Sequence, residues 1–122
     1  MPVPILRQGR VLIASLQATS DDRDFVQLRD DLVRMVSTVR AEGVVVDVTA
    51  LDVLDSFASR SLRALAQMIK LRGAKTVIVG IQPDVAFAMV QLGLTLPDIP
   101  TALDLDEGLE LLKASTGSEG RG

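Results

Sequence analysis

The sequence contains no histidine, cysteine, tryptophan or tyrosine, and its only aromatic residues are Phe25, Phe57 and Phe87. Without histidine and cysteine, the usual zinc sites, disulfides, thiol redox chemistry and histidine-based catalytic triads are excluded. Three aromatic residues are too few for the base-stacking platforms that bind single-stranded nucleic acid. A net charge of −3 also argues against nonspecific binding to a phosphate backbone. We therefore expect no metal, no cofactor and no nucleic-acid partner.

Long hydrophobic runs are also absent. No stretch approaches the roughly 20 apolar residues of a membrane-spanning helix. The first seven residues lack the basic and apolar regions of a signal peptide, so we expect a cytoplasmic protein without membrane contact. The 122 residues are 48% hydrophobic and 24% charged, which predicts one globular domain with a substantial core.

Hydrophobic patterning predicts an α/β domain with the element order ββαβαβαβα, that is, a mixed β-sheet with about four packed helices. The first two strands are expected to form a hairpin around Gln8-Gly9. The expected elements are strands at 3–6 and 10–16, a helix from an N-cap at Ser20 to about Gly43, a strand at 44–48, a helix at 56–72, a strand at 76–80, a helix at 83–92, a short strand at 99–102 and a helix after Asp104.

The C-terminal part of the sequence changes in composition. Asp104 and Glu107 form the pattern of a capping box at the start of the last helix, whose apolar side includes Leu109 and Leu112. From Ala114 onward the residues are mainly serine, threonine, glycine, glutamate and arginine. We therefore expect a single domain over residues 1–113 and a disordered tail over residues 114–122.

Two segments resemble reactive or binding sites only superficially. Asp47, Asp52 and Asp55 lie at or after the end of a buried strand, and Asp47 superficially resembles a phosphotransfer aspartate. Such an aspartate would need a companion acid pair at the strand end and a nearby lysine, and the sequence offers neither. Roles in turns and helix caps are the favoured interpretation of these acids. The segment Gly80–Pro83 matches neither glycine-rich phosphate-binding pattern, which disfavours a nucleotide-binding or nucleotide-hydrolysing protein.

The helix that begins near Asp55 has two chemically different sides. At about 100° per residue, a helical wheel places a polar, basic face opposite an apolar one. The polar face is expected to carry Ser56, Ser59, Arg60, Arg63, Gln67 and Lys70, and the apolar side Phe57, Ala58, Leu62, Ala64, Leu65, Met68 and Ile69. Residues 56–75 include five basic and no acidic side chains, whereas residues 98–113 include five acids and one lysine. The charge is thus segregated along the chain.

The pair Asp55-Ser56 lies where this helix begins. One interpretation is structural, with either residue acting as the N-cap, a contribution of about 1 kcal/mol. The other is a phosphorylation site at Ser56, where about −1.5 to −2 charges would meet the positive end of the helix dipole. Such a phosphate would act on a docked partner through repulsion and desolvation. The residues by themselves leave both interpretations open.

Several segments of the chain match a known family. They are Gly43–Thr49, Asp55–Phe57, Gly73–Lys75, Gly80–Pro83, Ala102–Leu105 and Gly108–Glu110. Over residues 5–113 the chain resembles STAS domains, the anti-sigma-factor antagonist family. The Asp-Ser pair is typical of the whole family. The segment Gly80–Pro83, together with Thr101–Asp104, is more specific and resembles the small single-domain scaffold antagonists of the bacterial stressosome.

The resemblance implies a STAS-type fold and a non-enzymatic scaffold in stress-response signalling. Such scaffolds co-assemble with sensor paralogues that carry a C-terminal STAS domain, and the large oligomeric assembly sequesters a serine/threonine switch kinase. Under stress the kinase phosphorylates the scaffold on the serine of the Asp-Ser-Phe segment, here Ser56, and is released. A serine/threonine phosphatase then resets the assembly.

By this resemblance Ser56 is the expected phosphoacceptor, and Ser59 is a second candidate outside the matching segment. The expected partner-binding residues are Asp55, Ser56, Ser59, Arg60 and Arg63. The two arginines would contact an acidic partner surface or the phosphate itself, or they are simply a solvated basic face. The alternative function is a free anti-anti-sigma factor that binds an anti-sigma kinase in its unphosphorylated form.

Overall fold

The computed structural model describes the backbone of residues 3–121 and the side chains of residues 3–114. Five strands form one sheet: β1 Ile5–Gln8, β2 Val11–Ser15, β3 Gly43–Asp47, β4 Lys75–Val79 and β5 Thr101–Ala102. They lie in the order β1-β2-β3-β4-β5. β1 pairs with β2 in an antiparallel hairpin, and β2 to β5 are mutually parallel. The predicted mixed sheet is therefore confirmed.

Four helices connect or follow the parallel strands: α1 Asp22–Val39, α2 Ser56–Leu71, α3 Pro83–Gln91 and α4 Leu105–Arg121. The predicted element order and the number of helices are confirmed. A disordered tail is predicted over residues 114–122. The backbone of α4 is described to Arg121, but the side chains after residue 114 lie outside the described part of the chain. The disorder of this segment stays a prediction.

Both faces of the sheet are covered, and β3 shows how. Val44 and Val46 belong to the core shared with α1, α2 and α3, whereas Val45 belongs to the core under α4. All three valines are 0% exposed. Successive side chains of a strand point to opposite faces, so a continuous β-branched run is what a doubly covered parallel strand requires.

The packing of α4 against the sheet depends on a glycine. A Cβ atom at Gly108 would overlap the Cγ1 atoms of Val77 and Val79 on β4. The missing side chain therefore lets the helix backbone approach the strand closely. Leu112, one turn further along α4, is buried in the same core.

Two predicted boundaries of α1 are wrong. Its N-cap is Asp21, whose Oδ1 accepts a hydrogen bond from the Asp24 backbone N–H at 3.0 Å, while the Asp21 N–H donates to Asp24 Oδ2 at 2.9 Å. This capping box places the N-cap one residue after the predicted Ser20. The amide hydrogen bond also holds the pKa of Asp21 below its ordinary value. At the other end Arg40, with φ of 52°, closes the helix before Gly43.

The hairpin and the short strand also differ in their bounds from the predictions. Pairing between β1 and β2 continues to Gln8 and Val11, so the turn lies at Gly9 and Arg10, one residue later than expected. β5 contains two residues instead of four. β5 pairs with β4 at Thr101, opposite Ile78, and at Ala102, opposite Val79, and this pairing limits its length to two residues.

The burial of one side of α2 leads to a prediction about the stability of the domain. Leu65 is 3% exposed, so Leu65→Ala is expected to lower the free energy of unfolding by about 2–5 kcal/mol through lost burial and a cavity. Met68 is 38% exposed, although the helical wheel places it on the apolar side. Met68→Ala is therefore the control and should lower stability by clearly less than Leu65→Ala, by about 1 kcal/mol or less. Equal losses in denaturant titrations of the two variants would contradict this packing.

Candidate functional site

The candidate site lies at the edge of the sheet where β3 and β4 end. The loop of residues 48–55 leads from β3 to α2 along this edge. Leu51 and Leu54 anchor it, since both are buried in the core shared with the first three helices. The Val48 N–H also donates to the Val79 carbonyl at 3.0 Å. The start of α2 is thus held by buried side chains at a fixed position on the sheet.

A second loop, between β4 and α3, is hydrogen-bonded to the first. The Gln82 Nε2 donates to the Thr49 carbonyl at 2.7 Å, across 33 residues of sequence. Asp47 Oδ1 accepts from both the backbone N–H and the hydroxyl of Thr49, at 2.9 and 2.5 Å. Gly80, with φ of 82°, leaves room for this turn, because a Cβ there would overlap the Thr49 hydroxyl. Asp47 is the last residue of β3, and its side chain stabilises the turn that follows, a role that its sequence context favours.

Asp55 is the N-cap of α2. Its Oδ1 accepts a hydrogen bond from the Ala58 N–H at 2.8 Å, and its carbonyl accepts from the Ser59 N–H at 2.9 Å. The choice between Asp55 and Ser56 as the cap, which the sequence leaves open, is therefore decided for Asp55. Ser56 is the first residue of the helix and is exposed. Within the described residues its hydroxyl has no hydrogen-bond partner.

Ser59 does not lie on the exposed face. It is 1% exposed, and its Oγ has no hydrogen-bond partner within the described residues. The helical wheel is wrong here because the buried stripe of α2, which includes Ala58 and Leu62, is wide enough to cover a small neighbouring side chain. In this conformation the hydroxyl is not accessible to a kinase or a partner. The structure therefore argues against Ser59 as a phosphoacceptor or a contact residue.

The basic face of α2 is partly exposed. Arg60, four residues after Ser56 and thus on the same side of the helix, is exposed, and Arg63 is half-buried. Neither arginine forms a salt bridge with any residue in the described part of the chain. The first turn of α2 contains no acidic residue. The structure thus brings Asp55, Ser56 and Arg60 together at one surface.

Two features of the site have no local signal in the sequence. Val53, in the loop before α2, is 70% exposed and places an apolar side chain close to the Asp-Ser pair in the chain. Gln82 reaches Thr49 only because β3 and β4 are neighbours in the sheet. No cluster of acidic side chains that could hold a metal occurs between residues 3 and 114. Among the described helices, none combines the length and apolar character needed to cross a membrane.

Comparison with known proteins identifies the fold. Residues 3–108 match the STAS domain family model. A Moorella thermoacetica RsbS variant, with a serine-to-glutamate substitution, superposes with a TM-score of 0.81 and 33% identity, covering 93% of this chain and 97% of that chain. A second match is a chain from a structure of the stressosome, described as a signal integration and transduction hub. It gives a TM-score of 0.79 and 34% identity and covers 93% of this chain and 98% of that chain.

A longer relative is found by sequence. The RsbT co-antagonist protein RsbRA of Bacillus subtilis is 26% identical over 100 residues, which is 82% of this chain but 36% of that protein. The chain therefore spans about a third of this relative. The family match covers most of the chain, and the RsbS match extends over nearly all of it. The chain belongs to the STAS-domain family of anti-sigma-factor antagonists and is structurally similar to the stressosome protein RsbS.

Proposed function

We propose that this protein is a phospho-regulated, non-enzymatic scaffold of a stressosome-like assembly. It holds a serine/threonine kinase while Ser56 is unmodified and releases it once Ser56 is phosphorylated. The observation that carries the proposal is that the Ser56 hydroxyl is exposed at the start of α2 and is not used by the fold, because Asp55 is the cap. A serine/threonine phosphatase would restore the unmodified form.

A phosphate at Ser56 is compatible with the folded domain. It would add about −1.5 to −2 charges at the positive end of the α2 dipole, where anions are stabilised. Beyond the Asp55 cap, whose carboxylate is occupied by the Ala58 N–H, the first turn contains no acidic residue, and the unpaired Arg60 lies one turn away on the same side. Phosphorylation at this position is therefore expected to leave the domain folded.

The same phosphate would oppose a docked partner. Val53 is exposed and precedes Asp55 in the loop, so a partner that covers Ser56 would also cover apolar surface there. Burying a dianion in such a contact carries a large desolvation cost. Modification is thus expected to favour the separated proteins, with the two arginines available to an acidic surface of the unmodified complex.

The partners of the proposed scaffold follow from its relatives. The two solved relatives described above are named as RsbS or as part of the stressosome, which favours a scaffold over a free anti-anti-sigma factor. The longer relative is named as a co-antagonist of RsbT. We therefore propose assembly with larger paralogues of this kind, and an RsbT-like kinase as the protein that is retained.

The two residues of the Asp-Ser pair should differ in their effect on stability. Asp55→Ala removes the capping hydrogen bond and should lower the free energy of unfolding by about 1 kcal/mol. Ser56→Ala removes an exposed hydroxyl without a partner and should change it by less than about 0.5 kcal/mol. Urea titrations of both variants measure this. A larger loss for Ser56→Ala than for Asp55→Ala would give the hydroxyl a structural role.

The kinase reaction tests the proposed function directly. With the RsbT-like kinase and ATP, the unmodified chain should gain phosphate on Ser56, mapped by peptide mass spectrometry, and Ser56→Ala should gain none. Ser56→Asp should bind the kinase about tenfold or more weakly, a difference of roughly 1.4 kcal/mol or more.

Ser59→Ala is the matched control for this reaction, because it removes a nearby serine that is buried. The Ser59→Ala chain should still gain phosphate on Ser56 and should release the kinase as the parent chain does. Normal kinase release from an assembly built with Ser56→Ala would sink the proposed switch.

A further inference from the structure

The start of α3 differs from the starts of the other three helices. α1, α2 and α4 each begin at an aspartate whose side chain accepts a backbone N–H: Asp21, Asp55 and Asp104. α3 begins at Gln82, whose carbonyl accepts a helical hydrogen bond from the Ala86 N–H at 2.9 Å. Glutamine is not among the preferred N-cap residues, and within the described residues the Gln82 side chain makes no capping hydrogen bond. The start of α3 is therefore left without a side-chain cap.

The Gln82 side chain is directed to the loop before Ser56 instead of to its own helix. Its Nε2 donates to the Thr49 carbonyl at 2.7 Å. Gly80, in the same loop as Gln82, lacks the Cβ that would overlap the Thr49 hydroxyl. Asp47 Oδ1 accepts from the N–H and the hydroxyl of Thr49. Residues at the ends of two neighbouring strands thus converge on Thr49.

This hydrogen bond lies at the surface and is not needed to cover the core. Leu51 and Leu54 already anchor the loop in the core, whereas Thr49 is exposed and Gln82 is half-buried. The bond therefore acts on the conformation of the exposed part of the loop, which includes Val53. A residue that departs from the local preference at a helix start, and uses its side chain elsewhere, is typical of a functional site.

We propose that Gln82 is a positioning residue for the Ser56 site. By joining the β4–α3 loop to the Thr49 carbonyl, it holds the β3–α2 loop in the conformation that the kinase binds. Gln82 acts through Thr49 and needs no contact with the kinase or with the Ser56 hydroxyl. The inference rests on the proposed function, because it concerns the kinase that this function retains.

The expected effect is on the affinity of the kinase for this chain. A loop that is already held in its bound conformation loses less conformational freedom when a partner binds. Loss of the bond should therefore raise the KM for this chain in Ser56 phosphorylation by about three- to tenfold, the factor that corresponds to one hydrogen bond. The kcat should change by less than about twofold, because the bound loop has the same conformation.

Two substitutions of Gln82 test this role. Gln82→Met removes the donor and keeps a side chain of similar length, whereas Gln82→Ser removes the long donor and supplies a good N-cap residue. Both variants should raise the KM with the RsbT-like kinase and ATP. In the chain alone, both should speed amide hydrogen exchange at Thr49 and Leu51, whose N–H groups donate to Asp47 Oδ1 and to the Val48 carbonyl.

Thermal unfolding separates positioning from a purely structural role. Gln82→Ser should unfold at the same temperature as the parent chain or higher, since its hydroxyl can cap α3. A raised KM in a variant that is at least as stable as the parent does not come from partial unfolding. Gln91→Met is the matched control: Gln91 is exposed at the end of α3, and its side chain has no hydrogen-bond partner in the described part of the chain. It should keep the KM and the loop exchange of the parent.

Three results would overturn the proposal while leaving the proposed function intact. Both Gln82 variants could be phosphorylated on Ser56 with the KM of the parent chain, or exchange in the loop could be unchanged. Alternatively, the rise in KM could be confined to Gln82→Met, which would give Gln82 a role in helix stability only. Absence of phosphate on Ser56 in the parent chain would overturn the proposed function and this proposal with it, so the two failures are distinguishable.

Discussion

The burial of β3 on both faces is the constraint that sets the position of the site. Its three central valines are fully covered, with α1 to α3 on one side and α4 on the other. The neighbours of β3 in the sheet run parallel to it, and parallel strands end at the same edge of the sheet. The loops that follow β3 and β4 therefore meet, and Gln82 joins them through the Thr49 carbonyl. The amino end of α2 is fixed where these loops converge.

At this position the two residues of the Asp-Ser pair have different roles. The Asp55 carboxylate caps the helix, which leaves the Ser56 hydroxyl exposed and without a structural role. A modification of Ser56 can then change the charge of the surface without removing a hydrogen bond from the fold. The unpaired Arg60 on the same side gives that charge a favourable neighbour inside the domain. A rigid domain can in this way present two different surfaces to a partner.

Much of the fold could be predicted from the sequence, because its signals are local. The β-branched run at Val44–Val46 and the apolar spacing of the helices indicate the sheet and its covering layers. The sequence does not distinguish Ser20 from Asp21 as the cap of α1, because both are good N-cap residues and only the reciprocal bonds with Asp24 separate them. The burial of Ser59 is not predictable from a helical wheel, because it depends on neighbouring elements that the wheel leaves out.

The site was predictable in part for the same physical reason. The Asp55-Ser56 pair and the nearby arginines are adjacent in sequence, so one helix is enough to bring them together. The hydrogen bond between Gln82 and Thr49 depends on the order of the strands, which single-sequence patterns do not specify. The sequence likewise does not distinguish the buried residues of α3, Val85 and Met89, from its exposed Phe87 and Val90, because that distinction depends on how the helix packs.

The most direct measurement is a time course on an assembly reconstituted from this chain, a larger STAS paralogue and the kinase. After ATP is added, the fraction of Ser56 that carries phosphate and the fraction of kinase still bound are measured in the same samples. Kinase release should rise in step with phosphate on Ser56, and phosphatase treatment should restore binding. Kinase that stays bound to fully phosphorylated chain, or leaves while Ser56 is unmodified, would contradict the proposed switch.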